Sequence, residues 1–144
     1  MSYYRDVGDF HRKFDIPSYD PRKPCEFPSK EILEYRVKFL EEELRELKAA
    51  LESENLPEAL DALADITYVA LGTAHYFNAP FAQIWDEIQR ANLDRVKCTR
   101  ENCPPDKQYR ADLVIKPPDW KPPQIDAILG IHNGFARRMA RRMR

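Results

Sequence analysis

The sequence predicts an all-α protein: an antiparallel helical bundle that a second copy of the chain completes, with proline-rich non-helical flanks. Two observations come from the middle of the chain. Apolar residues recur at three- and four-residue steps over 30–53, and the segment 57–77 is almost wholly apolar. The third observation is that prolines are concentrated in 17–28 and 104–123, where they rule out long helices.

The first 29 residues predict a short helix followed by a loop. The segment 6–17, DVGDFHRKFDIP, places Val7, Phe10 and Phe14 on one side of an amphipathic helix. The stretch 17–29, PSYDPRKPCEFPS, is expected to be extended, because each proline biases the residue before it away from helical backbone.

The segment 30–97 predicts three helices. Ser29 is a suitable N-cap for a helix that runs to about Ser53. Pro57 fits the first turn of the next helix, which runs to about Phe77, and a third helix is expected from Phe81 to about Lys97. Apolar residues nearly encircle the second helix, and in a chain of this size that favours burial in a subunit interface.

The rest of the chain has a different character. The run 112–116, DLVIK, is expected to be extended, and 125–129 predicts one short helical turn or two. The last eight residues, RRMARRMR, carry five arginines and no acid. The sequence therefore divides into four parts. These are an N-terminal segment at 1–29, a helical core at 30–97, a proline-rich extension at 98–136 and a basic tail at 137–144.

Composition excludes several classes of protein. The net charge of −1 gives no overall attraction to nucleic acid or membrane. The chain shows no signal peptide and no long apolar run, and its three cysteines have no disulfide-framework spacing, so we expect free thiols in the cytoplasm. With only four glycines and no glycine-rich loop, a P-loop mechanism is excluded.

Two acid clusters are the main functional signal: Glu42, Glu43 and Glu46 in one helix, and Asp61 and Asp65 in the next. The two aspartates are four residues apart, so they lie on one face of an otherwise apolar helix. Burying like charges together is costly unless a cation neutralises them. Mg²⁺ or Mn²⁺ suits this role because both prefer oxygen ligands. Two antiparallel helices would aim both clusters at one site.

An alternative without a metal also fits these residues. Acids in the pattern E-E-x-x-E often mark a solvated helix face. The two aspartates would then need salt bridges, for which Arg36 or Lys38 are the best partners.

The order of these motifs resembles a known family. The E-E-x-x-E pattern at 42–46, the aspartate-bearing helix and the R-A-N sequence at 90–92 are similar to the all-α nucleoside triphosphate pyrophosphatases of the MazG type, over about 30–97. The flanking pieces DFHRKF and KPPDWKPPQI resemble the phage-type branch, which is similar to phosphoribosyl-ATP pyrophosphohydrolase and to the MazZ-like deoxyguanosine triphosphate diphosphohydrolases. The resemblance implies hydrolysis of nucleoside triphosphates to monophosphate and pyrophosphate with Mg²⁺ or Mn²⁺.

The resemblance also implies roles for particular residues. Glu43 and Glu46 would be metal ligands, and Glu42 completes the catalytic motif. Base selectivity is expected from the flanks, where Phe10, Phe14 and Trp120 are candidates; Trp120 would either stack on a base or pin its loop to the helices. Asn92, Arg95 and Lys97 fall where the family contacts metal and phosphates, and Lys116 and Trp120 complete the set of candidate substrate contacts.

The second metal motif of the family, E-x-x-D, matches imperfectly. If the register is set from R-A-N, Asp65 is the motif aspartate, Ala62 occupies the glutamate position and Asp61 replaces it one turn earlier. The other register reads Glu58 and Asp61 as an intact motif. The first register is favoured because Asp61 and Asp65 lie deeper in the apolar helix, with Glu58 as the alternative fourth ligand.

These residues predict a metal-dependent nucleotide pyrophosphohydrolase that prefers (d)GTP. Metal ions would bridge the carboxylates and the triphosphate and lower the pKa of a bound water, which Glu42 or Glu46 would orient or deprotonate. Rival functions are a broad-range or dUTP-directed house-cleaning pyrophosphatase and, in a different class, a helical interaction module whose arginine tail grips nucleic acid. No membrane partner is expected, and nucleic acid is a less favoured partner than a nucleoside triphosphate. A homodimer or tetramer is expected, in the cytoplasm, which would be that of a host cell if the chain is phage-encoded.

Overall fold

The computed structural model describes residues 2–131 of the chain. Within this range five helices account for most of the secondary structure, and a single two-stranded sheet accounts for the rest, so the predicted all-α class is confirmed. No helix in the described range is both long and apolar enough to cross a membrane. The elements in chain order are α1 Ser2–Lys13, α2 Lys30–Glu52, α3 Leu56–Tyr76, α4 Phe81–Leu93, β1 Val96–Lys97, β2 Val114–Ile115 and α5 Ile125–Ile128.

The chain forms two compact units, and the boundary between them lies between Phe81 and Ala82. In the first unit, α2 and α3 form a hairpin joined by three residues. Ser29 caps α2 by accepting a hydrogen bond from the Ile32 amide, as predicted, and Asn55 caps α3 through the Glu58 amide. These local caps explain why the boundaries of both helices follow closely from the sequence.

The two helices of the hairpin run antiparallel. Arg36 of α2 donates to Val69 O and Thr73 Oγ1 of α3, whereas Glu43, two turns later in α2, lines a cavity with Asp65, one turn earlier in α3. The acidic motifs therefore lie at corresponding levels of the hairpin.

Helix α1 packs against α3 through small and aromatic residues. Tyr4 stacks on His75 at 3.9 Å between ring centroids, and Val7 of α1 is also buried. A Cβ atom at Gly8 would stand 2.9 Å from His75 Cε1, so only glycine allows this close approach of the two helices.

The second unit contains the sheet and α5. The third core helix was expected to reach about Lys97, but α4 ends at Leu93. Val96 and Lys97 instead pair antiparallel with Ile115 and Val114. The run 112–116 was predicted to be extended, and its central residues form this second strand. The predicted basic tail, 137–144, and the last residues of the extension lie outside the described range.

Candidate functional site

The α2–α3 hairpin brings the two acid clusters close enough for their charges to interact. Glu43 faces the partner helix and is only 7% exposed, while the other four carboxylates are exposed. Burial raises the pKa of the Glu43 carboxyl above its ordinary value. The negative charges that raise this pKa further are, in decreasing order of effect, Glu46, Asp65, Glu42 and Asp61. Glu58, the alternative fourth ligand, is not one of them.

Glu43 also carries an unpaired oxygen. Its Oε2 is fully buried and has no hydrogen-bond partner in the described structure. A buried carboxylate without a partner is costly in its ionised form, and four neighbouring anions increase that cost. Either a proton or a cation relieves this arrangement, and at neutral pH a divalent cation relieves the repulsion among all five groups.

The acids are near one another but are not gathered into a complete metal cage. Within the described range, no three side chains of the acidic, histidine or cysteine type are close enough to hold a metal ion by themselves. Mg²⁺ commonly binds through only one or two carboxylates and keeps water and substrate phosphates as its other ligands. The unpaired oxygen of Glu43 and the surrounding negative charge fit an ion of this kind.

The salt-bridge alternative does not describe this hairpin. Arg36 is buried, and its guanidinium donates from Nε to Thr73 Oγ1 at 3.1 Å and from Nη2 to Val69 O at 2.7 Å. Lys38 is exposed. Among the ion pairs of the described residues, none involves Arg36, Lys38 or an acid of the two clusters. The acids therefore lack the partners that this alternative requires.

A cavity of about 390 Å³ adjoins the acid cluster. Glu43 and Asp65 line it together with Arg36, His11 and Gly72. Such a volume is within the range of about 300–1,000 Å³ typical of small-molecule sites. The aromatic residues that line the cavity are Phe10, Tyr35, Phe39, Tyr68 and Tyr76.

Sequence reasoning missed the histidine in this cavity. The sequence alone predicts that His11, His75 and His132 are structural or surface residues, and His132 lies outside the described range. His75 fits that description, because its Nε2 donates to Tyr4 O and its Nδ1 accepts from the Tyr19 amide. His11 is buried and also lines the cavity. Its place in DFHRKF, one of the pieces that carried the resemblance, was the only signal in the sequence.

The two histidines predict a loss of stability in mild acid. Burial lowers the pKa of both His11 and His75 below the ordinary value of 6.5. Below that pH the unfolded chain binds protons that the folded chain does not, so the free energy of unfolding falls as the pH drops. We expect urea denaturation to show lower stability at pH 5.5 than at pH 7.5, and a smaller difference for His11→Gln. An equal difference in the variant would contradict the contribution of His11.

The residues that the sequence predicts as substrate contacts lie in the second unit. The Trp120 indole nitrogen donates to Ala91 O at 2.6 Å, which ties the loop of Trp120 to the end of α4. Lys116 Nζ lies 4.3 Å from the centroid of the Trp120 ring, and the Arg95 guanidinium also lies over that ring. Two roles were left open for Trp120, and these contacts correspond to the one in which it holds its loop against the helices.

The R-A-N sequence has a structural part and an exposed part. Arg90 pairs with Glu87 and Asp94 and also donates to backbone carbonyls at 121 and 122, so it holds the proline-rich loop against α4. Asn92 and Lys97 are exposed. The Nε atom of Arg95 is buried without a hydrogen-bond partner in the described structure.

Comparison with known proteins adds two findings. The model of the phosphoribosyl-ATP pyrophosphohydrolase family matches residues 7–92, more than half of the chain. The chain is also 35% identical over 75 residues to an uncharacterized protein of Acanthamoeba polyphaga mimivirus. That match covers 51% of this chain and 30% of the viral protein, so the chain spans well under two thirds of the relative's length.

Proposed function

Because the chain belongs to the phosphoribosyl-ATP pyrophosphohydrolase family, we propose that it hydrolyses a nucleoside triphosphate to the monophosphate and pyrophosphate, using Mg²⁺ or Mn²⁺. The single observation that carries the metal part of the proposal is Glu43: a buried carboxylate with an unpaired oxygen, facing four other acids. A triphosphate is itself strongly anionic, so it would approach this surface only with a cation between them.

The residues divide into metal ligands and groups that act on water. Glu43, Glu46, Asp61 and Asp65 would hold the metal, which when bound neutralises charge and makes a water molecule more acidic. Glu42, exposed beside Glu43, or Glu46 would orient that water and accept its proton. Asn92, Arg95 and Lys97 are proposed as substrate contacts on the resemblance alone, and Lys116 is proposed as a further cationic contact.

The preferred substrate is proposed to be (d)GTP, which rests on the resemblance to the phage-type, MazZ-like branch. A broad-range or dUTP-directed pyrophosphatase is the second candidate. The test is a panel of ribo- and deoxynucleoside triphosphates with Mg²⁺, with Mn²⁺ and with a chelator, and products separated by chromatography. A chain that hydrolyses no triphosphate with either metal, but binds nucleic acid in a salt-dependent way, would instead be the helical interaction module.

The products provide a separate prediction. Cleavage between the α and β phosphorus releases pyrophosphate and monophosphate together, so both should appear from the start of the reaction in equal amounts. We expect ³¹P spectra to show pyrophosphate and no orthophosphate when inorganic pyrophosphatase is absent. A nucleoside diphosphate and orthophosphate as first products would contradict this proposal while leaving the family membership intact.

We also propose that the chain is a homodimer or tetramer. In the first unit, a stripe along α3 exposes the leucines at positions 56, 60 and 63, and α2 exposes apolar residues at seven-residue intervals at 37, 44 and 51. Leu60 is 58% exposed and Leu51 is 62% exposed, although their side chains are among the most apolar in the chain. Rows of exposed apolar side chains of this kind support a protein–protein interface, and the resemblance places the active site near such an interface.

A further inference from the structure

Arg36 is a buried cation without an anionic partner. Its two hydrogen bonds go to neutral oxygens, Thr73 Oγ1 and Val69 O. The guanidinium carbon lies 5.4 Å from the ring centroids of both Phe39 and Tyr76. Buried arginines are normally paired with a carboxylate or bind a ligand. No ion pair of Arg36 occurs in the described part of the chain, and its Nη1 group makes no hydrogen bond there, so donor capacity is left for a ligand in the cavity that Arg36 lines.

His11 supplies an acceptor beside this donor. Its Nδ1 lies 2.6 Å from Pro17 O, and because a carbonyl can only accept, Nδ1 must carry the proton. Burial and the nearby Arg36 charge lower the pKa of His11, so the ring is neutral at physiological pH. A neutral ring protonated at Nδ1 has a bare Nε2, which is a hydrogen-bond acceptor.

The surroundings of Gly72 show that the Arg36 guanidinium and the His11 ring lie close to the same point of α3. A Cβ atom at residue 72 would stand 3.0 Å from Arg36 Nη2 and 3.1 Å from His11 Nε2. Both side chains therefore approach the same point of the α3 backbone, and any larger residue would displace them. The absence of a side chain at Gly72 leaves the two groups side by side in the cavity.

The position of this pair relative to the acids suits a nucleotide. Arg36 precedes Glu43 by seven residues on α2, so the two lie about 10 Å apart along the helix axis. In a nucleotide, the ribose and the base ring together separate the hydrogen-bonding edge of the base from the α-phosphate by a distance of this order. Phe10 and Tyr68, whose rings meet edge to face with centroids 5.7 Å apart, supply aromatic walls for a planar ligand.

We propose that this cavity is the base pocket of the enzyme, and that Arg36 and His11 select bases with a carbonyl next to a ring N–H. Arg36 donates to the carbonyl oxygen, and His11 Nε2 accepts from the neighbouring N–H. Guanine, hypoxanthine, uracil and thymine present this pair of groups. Adenine and cytosine do not, because each carries an amino group beside a ring nitrogen that has no hydrogen, and the C2 carbonyl of cytosine adjoins that same nitrogen. This proposal rests on the proposed function, and it moves base recognition from Trp120 to the first unit.

The cation favours the carbonyl bases over adenine. Adenine also offers an acceptor nitrogen beside an amino donor, but a carbonyl oxygen carries more negative charge than a ring nitrogen. A charge-assisted hydrogen bond to that oxygen is therefore stronger. A free phosphate is a poorer occupant, because the cavity offers one guanidinium, several aromatic rings and the carboxylates of Glu43 and Asp65.

The test measures base selectivity in full-length Arg36→Met with Mg²⁺ or Mn²⁺. We expect the ratio of kcat/KM for GTP to kcat/KM for ATP to fall at least tenfold, mainly through KM for GTP. Hydrolysis of ribose 5-triphosphate, which has no base, should fall much less than hydrolysis of GTP. The matched control is Lys38→Met, which removes a charge of the same sign from an exposed position of the same helix and should leave the ratio unchanged.

A second variant keeps the proposal testable if Arg36→Met does not fold. Gly72→Ala adds one methyl group where Arg36 and His11 converge and should also lower the GTP-to-ATP ratio. An unchanged ratio in the folded variants, or a wild-type ratio near one, would overturn the base pocket. A larger loss for ribose 5-triphosphate than for GTP would overturn it too, and would place a phosphate at Arg36.

Failure of the proposed function would have a different signature. If the wild-type chain released pyrophosphate from no triphosphate, that function would fail. Calorimetry with guanosine and adenosine would then judge the pocket alone. Tighter binding of guanosine that is lost in Arg36→Met would support it, and equal or absent binding of the two nucleosides would overturn it.

Discussion

Replacing Glu43 with glutamine is expected to lower turnover about a hundredfold or more and to stabilise the metal-free protein at pH 7. The two effects have one cause. Burial and four neighbouring acids make the ionised form of Glu43 costly, and they raise its pKa above 4.5. Glutamine has nearly the same shape without the charge, so it removes the repulsion and, with it, the proposed metal ligand.

The stability gained in Glu43→Gln should depend on pH. A carboxyl whose pKa is raised in the folded state costs stability when the pH rises above that pKa. The advantage of Glu43→Gln should therefore be present at neutral pH and should shrink as the pH falls toward 4.5, where the wild-type carboxyl is protonated. Urea denaturation of both proteins at several pH values measures this difference directly.

Metal binding provides the second readout. Mg²⁺ or Mn²⁺ should raise the melting temperature of the wild type and have little effect on Glu43→Gln, because ligands that bind only the folded state stabilise it. The matched control is Glu41→Gln, an exposed acid of the same helix that is not among the charges that raise the pKa of Glu43. Normal turnover in Glu43→Gln would contradict the proposed metal site. Equal effects of the two substitutions would show that the loss comes from general surface charge and not from a metal ligand.

Local signals explain the parts of the fold that the sequence predicted well. The predicted helices over 30–53 and 57–77 differ by one residue at most from α2 and α3 at each boundary, because an N-cap and a proline mark their starts. The end of α4 was misplaced by four residues. Val96 and Lys97, which were assigned to this helix, pair instead with a strand beyond residue 110. The period of apolar residues along one segment does not report a pairing between distant segments.

The candidate site was predictable to a similar degree. Helical spacing placed the acids on facing surfaces, and the antiparallel hairpin brings them together. Arg36 was considered only as a salt-bridge partner for the aspartates, whereas it bonds to α3 about one and two turns beyond Asp65, the nearer of the two. The roles of Arg36 and His11 depend on contacts between residues more than thirty positions apart or on a loop carbonyl, which no motif at fixed spacing records.

Introducing a charge at Leu60 is expected to dissociate the proposed oligomer and to lower activity with it. Leu60 lies near the middle of the exposed α3 stripe, with Leu56 and Leu63 on either side. In the assembled protein, Leu60→Glu would bury a carboxylate among apolar side chains, which costs several kcal/mol when no partner neutralises the charge. We expect the dissociation constant to rise about a hundredfold or more, which sedimentation and light scattering at micromolar concentration would detect.

The substitution separates assembly from folding. Leu60 is exposed in the single chain, so the helical content of the dissociated variant should stay near that of the wild type. The matched control is Leu93→Glu, which places the same charge on an exposed leucine of α4 and should leave the oligomer intact. If Leu60→Glu keeps the wild-type mass and turnover, the α3 stripe is not the interface. If the wild type itself is a stable and active monomer, the proposed assembly is wrong, and the exposed leucines must have another role.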